Sequence, residues 1–310
     1  RSRPSAPARR RRLLLAAVAG LFLAHVAFAG ARHALDRRPP SAVGRSRAVP
    51  PAVSWPEQGQ AALVRGDGRA AASPHETPVP IASLAKVMTA YLTLTHHPLA
   101  GSAEGFTVTV SGDAAEAVAA DAREGQSVVA VQAGEELTER QLLEALLIPS
   151  GNNIAQMLAT QVAGSQSAFV DEMNAEARAL GMSHTDYTDP SGFDRGTVST
   201  AADQLRVLRR AMRFRVFREI VAMPSVTLPV AGTLTNYNPL IADGYAGKTG
   251  SDSAAGGCLS FFTEVAVGGR RVTEAGVVLG QGQGNDTSEL LAAAGQAAEQ
   301  LVDFTAPGSR

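Results

Sequence analysis

Ile81-Ala-Ser83-Leu-Ala-Lys86-Val-Met-Thr-Ala90 opens a helical stretch that runs to about Thr95, with Leu84, Val87, Met88, Tyr91 and Leu92 as its apolar positions. Residues three apart share a helix face, so the Ser83 hydroxyl and the Lys86 amine point the same way. A serine is a poor nucleophile until a base takes its proton. A lysine can be that base when burial or a neighbouring cation lowers its pKa toward neutrality. Ser83 also falls at a helix N-terminus, where backbone N–H groups favour developing negative charge. Taken alone, the pattern also reads as a helix cap beside a solvated lysine.

The rest of the chain changes that balance. Of 28 basic residues only Lys86 and Lys248 are lysines. A guanidinium stays protonated and cannot act as a base, so the two exceptions mark places where an amine is needed. Lys248 begins a second polar signature, Lys248-Thr249-Gly250. Ser150-Gly151-Asn152 lies between the two, 67 residues after Ser83 and 98 before Lys248. In isolation the first is a solvated strand end and the second a turn. Together, in this order, they point to a serine acyl-transfer enzyme with a lysine base.

Working outward, Ala61 to Arg65 with a Gly66-Asp67-Gly68 turn predicts an opening β-hairpin. Phe106 to Val110 alternates like a strand. Thr138 and Gln141 form a capping-box pattern ahead of the apolar run Leu142 to Ile148, and Pro149 ends that helix. Ser150-Gly151-Asn152 is then expected in a loop between helices. Further helices are predicted over 167–180 and from Thr200 to about Met212. After Ser225 the pattern turns to strands: Gly244 to Gly250, Cys258 to Val267, a Gly268-Gly269 turn, and Val272 to Leu279. A last helix covers 286–301. Strand pair, helices, strand meander and final helix imply an α/β fold of the α+β kind. Its antiparallel sheet is built from both ends of the chain and flanked by helices, with an all-helical region inserted.

The three signatures carry a resemblance. The chain is similar to the serine D-alanyl-D-alanine carboxypeptidases, the low-molecular-mass penicillin-binding proteins of peptidase family S11. Further matching stretches are Leu147-Ile-Pro-Ser-Gly-Asn152, Met173-Asn174, Leu180-Gly-Met182, Pro190-Ser-Gly-Phe193 and Ser199-Thr-Ala201. The resemblance covers about residues 52–305. It implies the β-lactamase/DD-peptidase fold and a peptidoglycan stem peptide ending in D-Ala-D-Ala as substrate, with β-lactams as covalent inhibitors. It implies no cofactor and no metal. By it, Ser83 forms the acyl-enzyme, Lys86 is the general base and Ser150 relays a proton to the leaving amine. Asn152 holds Lys86 and a substrate amide. Lys248 and Thr249 bind the terminal carboxylate, Lys248 as a permanent cation, and Gly250 permits close backbone approach. Backbone N–H groups of Ser83 and Ser251 form the oxyanion hole, typically worth ~3 kcal/mol per donor.

The chain departs from the family pattern at Asn153, where the family usually has Asp, and at Asp252, where many members have Thr. Gln281 and Gln283 stand where many carry a carboxylate-binding arginine. Asp252 is expected to repel an anionic substrate. These departures keep a second reading open, a weakly active or non-catalytic peptidoglycan-binding relative. A β-lactamase is disfavoured, because no Glu-x-x-x-Asn pattern between residues 152 and 248 offers a group to activate water.

Charge divides the chain in two. Residues 1–50 carry 11 arginines and one acid, a net +10, whereas residues 51–310 carry 17 basic and 28 acidic residues, a net −11. An acidic body argues against nucleic acid as a partner. Arg9 to Arg12 followed by the apolar run Leu13 to Ala29, with Ala27-Phe28-Ala29 as a small-residue cleavage pattern, reads as a targeting segment. Both a cleaved signal peptide and an uncleaved membrane anchor fit, and either exports the body. Three regions are therefore expected: 1–30 as signal or anchor, 31–56 as a Pro/Arg-rich linker, and 57–305 as the catalytic domain. Any tether to the outer face of the membrane is expected from the first. The single cysteine, Cys258, excludes an internal disulfide and reads as a small buried strand residue.

Overall fold

The computed structural model describes residues 53–305, with side chains described to Val302. The expected targeting segment, and the linker up to residue 52, lie outside the described residues.

The body opens with β1 (Gln60–Arg65) and the short β2 (Ala71–Ala72), the expected hairpin. β3 (Val79–Pro80) leads through a 3-10 turn, Ala82–Leu84, into α1 (Ala85–His96). The inserted helical region follows. It comprises β4 (Thr107–Thr109), α2 (Gly112–Arg123), β5 (Glu136–Thr138), α3 (Glu139–Leu147), α4 (Asn152–Ala163), α5 (Gln166–Ala179), β6 (Val198–Ser199), α6 (Ala201–Ala211) and α7 (Arg215–Val221). After the hairpin of β7 (Ser225–Leu228) and β8 (Gly232–Thr235) come the long meander strands β9 (Ala246–Asp252), β10 (Gly256–Val267) and β11 (Arg270–Gln281), then α8 (Thr287–Thr305).

The main sheet has the order β2-β1-β11-β10-β9, antiparallel throughout. β1 pairs with β11 from Gln60 opposite Leu279 to Arg65 opposite Glu274, so the two ends of the described chain meet at the sheet's centre. Both faces are covered, and this explains why β1 reads as a continuous apolar run rather than an alternating one. Ala62 and Val64 face the larger core with α1, whereas Ala61 and Leu63 face a second layer with Leu259, Phe261, Val278 and the Ala294–Leu301 stripe of α8. Val53 and Trp55 pack against that second layer. Cys258 is buried in β10, and burial pushes its thiol up to about 12.

α1 runs through the middle of the larger core. From Ala85 to Leu94 every side chain but Tyr91 is buried. A helix that is apolar nearly all round belongs inside, and each fully buried Leu, Met or Val contributes roughly 1.5–3 kcal/mol. Lys86 is the exception in composition but not in place, with no exposure to solvent. α3 begins with the expected capping box: Thr138 Oγ1 accepts from the Gln141 N–H, and Gln141 Oε1 accepts from the Thr138 N–H.

Periodicity alone leaves α2, α4 and α7 unassigned. α2 fully buries no residue, and only small side chains such as Ala114 and Ala115 pack partly against the core, so its apolar signal is weak. α4 begins at Asn152, directly after Gly151, so the connection from α3 is shorter than the expected loop. Asn152 is therefore the first residue of a helix, and its backbone N–H donates to Ser127 O at 2.7 Å.

Candidate active site

Two non-glycine residues among those described have positive φ, Ala82 (44°) and Ser150 (66°). Left-handed backbone is costly for residues with a Cβ and persists where surrounding structure over-determines it. One of the pair immediately precedes Ser83. The other is the serine of the second signature. Ser83 sits half-buried in the 3-10 turn, one residue ahead of α1.

Lys86 Nζ lies 2.7 Å from Ser83 Oγ, 2.7 Å from Asn152 Oδ1 and 3.1 Å from the Ser191 carbonyl. An ammonium has three protons, and these three acceptors take them all. Burial pushes its pKa well below the ordinary lysine value, Lys248 lowers it further, and Asp189 partly opposes. A neutral Lys86 keeps the same geometry with its lone pair toward Ser83 Oγ, ready to accept the hydroxyl proton.

Asn152 is held from behind. Its Nδ2 donates to Gln126 Oε1 at 3.0 Å, and Gln126 Nε2 donates to Asp121 and Glu124, both at 3.3 Å. That chain turns the Asn152 carbonyl toward Lys86. Asn153 does different work. It accepts from the Val129 N–H (3.0 Å) and donates to the Val129 carbonyl (2.8 Å), fastening the segment that walls the cleft. An aspartate there could not donate, so this departure from the family pattern has a structural use. Ser150 is buried, and its Oγ makes no hydrogen bond among the described residues.

The third signature lies on β9, an edge of the main sheet that runs beside the Ser83 turn. A Cβ on Gly250 would stand 3.0 Å from the Ser83 nitrogen and 3.1 Å from the Ile81 carbonyl, so a side chain there would have to push the Ser83 turn aside. Thr249 lines the cleft, while Lys248 lies beneath it, 1% exposed, its Nζ donating to the Thr249 carbonyl at 2.8 Å. Burial pushes Lys248 down to about 7. The cleft has two lobes that share Ser83, Ser127 and Ser251. One, of about 390 Å³, holds Ser150, Thr249, Leu234 and Tyr237. The other, of about 350 Å³, holds Asn152, Phe193, Arg195 and Asp252. Asp252 thus lies on the side away from Thr249, and its Oδ1 accepts from the Ala254 and Ala255 N–H groups at 2.6 and 2.7 Å. Gln281 is turned inward, its Nε2 donating to the Gln58 and Leu279 carbonyls.

Several participants escape sequence reasoning. Ser191 contributes through its carbonyl, which no side-chain pattern reports. Asp189 shapes its loop by accepting from the Ser191, Gly192 and Phe193 N–H groups and from Thr197 Oγ1. Thr89 Oγ1 ties α1 to the same loop at the Pro190 carbonyl, 2.6 Å away. The Pro190-Ser-Gly-Phe193 stretch is the sequence signal for this loop.

The model of the D-alanyl-D-alanine carboxypeptidase family, peptidase S11, matches residues 69–282, a span that includes all three signatures. The chain belongs to this family. Among curated relatives it is 38% identical over 162 residues to D-alanyl-D-alanine carboxypeptidase DacB2 of Mycobacterium tuberculosis, covering 49% of this chain and 55% of the relative. It is 33% identical over 200 residues to a D-alanyl-D-alanine endopeptidase of Pseudomonas aeruginosa, covering 60% of each. The matches thus span little more than half the length of these relatives. Among solved structures, the Streptomyces K15 DD-transpeptidase is similar with a TM-score of 0.68 and 25% identity, over 82% of this chain and 99% of that one. An evolved penicillin-binding protein homolog of M. tuberculosis gives 0.66 and 29%, over 84% and 97%. The antiparallel sheet with inserted helices is the architecture of this family.

Proposed function

We propose that this protein is a serine D-Ala-D-Ala carboxypeptidase. It would remove the terminal D-alanine from peptidoglycan stem peptides through a Ser83 acyl-enzyme and be acylated by β-lactams at the same serine. The observation that carries this is the 2.7 Å contact between Ser83 Oγ and a fully buried Lys86 whose pKa is driven down by burial and by Lys248. Lys86 takes the serine proton as Oγ attacks the penultimate D-alanine carbonyl. The oxyanion lies between the Ser83 and Ser251 N–H groups. Ser150 Oγ, which has no hydrogen-bond partner among the described residues, relays the proton that Lys86 took from Ser83 to the departing amine. Thr249, with Lys248 beneath it, receives the terminal carboxylate. Asn152 orients Lys86 and an amide of the acyl half, and Gly250 keeps β9 close. The peptide lies along the free edge of β9 as an added strand, and water then releases the acyl group. Such a substrate places the domain outside the cytoplasm. Residues 1–30 then supply export or a tether, and no nucleic acid is involved.

A second reading, a slow or non-catalytic penicillin-binding relative, is favoured by one observation. The Thr249 lobe has no arginine, and Gln281 is spent on the backbone. Two measurements separate them. Fluorescent penicillin should label the wild type and not Ser83→Ala, and the wild type should release D-alanine from a stem-peptide mimic. Labelling without release supports the second reading, and absence of both refutes the two together.

A further inference from the structure

The two lobes of the cleft differ in charge. The Thr249 lobe has no charged lining residue. The other has Arg195, Asp252 and Glu124. Its three charged groups are not equivalent. Asp252 Oδ1 accepts two backbone N–H groups of its own turn, and Glu124 Oε2 accepts from Gln126. Arg195 is the one cation of that lobe, and it makes no ion pair among the described residues. Its Nη2 donates to Ser253 Oγ at 3.1 Å, on the turn that joins β9 to β10. That single bond aims the guanidinium while leaving most of its five N–H donors unused. A planar fork of this kind matches a carboxylate with two parallel hydrogen bonds.

We propose that Arg195 is a specificity-determining residue that holds a carboxylate on the acyl half of the substrate. The proposal rests on the carboxypeptidase reading for direction: with the leaving D-alanine beside Thr249, the acyl half runs past Ser251 into the Arg195 lobe. The residue preceding D-Ala-D-Ala then lays its side chain toward Arg195. A side-chain carboxylate there gains a partner that the amide of the same shape does not. Asp252 works against indiscriminate anion binding, so the preference depends on the carboxylate reaching the fork rather than on the charge of the lobe.

The test uses N-acetyl-X-D-Ala-D-Ala peptides in which X is glutamate, its one-methylene-longer homologue, the two corresponding side-chain amides, or lysine. Binding is measured by calorimetry to Ser83→Ala, which lacks the nucleophile and keeps the lobe. One of the carboxylate peptides should bind about tenfold more tightly than its amide, roughly the worth of a charged hydrogen bond. Ser83→Ala/Arg195→Gln should bring that ratio to about one, and Arg195→Lys should leave it in between. Equal binding of acid and amide in the Ser83→Ala parent overturns the proposal with no further variant needed. So does a preference for lysine, which would assign the lobe to Asp252 and Glu124, or a ratio unmoved by Arg195→Gln. Hydrolysis by the wild type is followed in parallel. If no peptide is cleaved, the carboxypeptidase reading falls, while the binding ratio still decides the role of Arg195.

Discussion

Lys86 and Lys248 are buried to almost the same extent, yet their surroundings differ in kind. Three elements converge on Lys86: the serine turn, the start of α4 and the Asp189-shaped loop each contribute one acceptor. Among the described residues the Lys248 amine has one hydrogen bond, to the carbonyl of the next residue. For the first, burial is compounded by a second cation; for the second, burial alone lowers the pKa, to about 7. The lesson is that equal burial supports different chemistry. A group held by three acceptors has its position fixed, while burial and a neighbouring cation loosen its proton. A group with a single neighbour and low solvation gains most from a ligand that brings the missing charge.

The sharpest way to break this contrast is Lys86→Arg. A guanidinium cannot accept the serine proton, so penicillin acylation should fall by about 10²–10⁴-fold. Normal labelling of this variant by stopped-flow or gel assay would refute Lys86 as the base. Gly250→Ala comes next. The added methyl pushes β9 away from Ser83, and a displacement of that order costs about 10²-fold in acylation. A rate within about twofold of wild type would show that β9 need not touch the Ser83 turn.

Lys248→Arg keeps a cation under Thr249 and should retain labelling at a rate within roughly tenfold of wild type. Loss as severe as that of Lys86→Arg would mean that the two lysines share one role. A melting curve guards against simple overpacking. The smallest effect is in pH dependence. Lys248 is protonated below about 7 and loses its proton above it. KM for a peptide ending in a free carboxylate should therefore rise several-fold between pH 6.5 and 8.5. A peptide ending in an amide should show no such rise. A flat profile for both would remove Lys248 from carboxylate binding.

Much of this architecture is legible in the chain because its signals are local. The capping box at Thr138 and Gln141, the β1–β2 hairpin and the meander strands follow from spacing and turn residues. That the sheet draws strands from both ends of the chain follows from the succession of elements, whereas the strand order itself does not. Of the site, Ser83, Lys86 and Asn152 announce themselves through short polar signatures, and the fold brings them within hydrogen-bond reach. What stays hidden has no side-chain pattern. The Ser191 carbonyl, the left-handed backbone at Ala82 and Ser150, and the place of Arg195 beside β9 arise from tertiary packing. Asp252 is read from the sequence by its charge alone, while the structure adds that its Oδ1 also accepts from the turn it closes. Exposed α2 was unreadable because nothing in it is fully buried.

The pairing of β1 with β11 has a consequence for how such a protein is made. Residues 60 and 279 must meet before the sheet's centre exists. During synthesis, the stretch with Ser83, Lys86 and Asn152 emerges long before β9 to β11 can be placed beside it. A chain still in translation therefore holds Ser83 without the strand that completes the cleft. A copy cut before β9 therefore lacks the strand that stands beside the Ser83 turn.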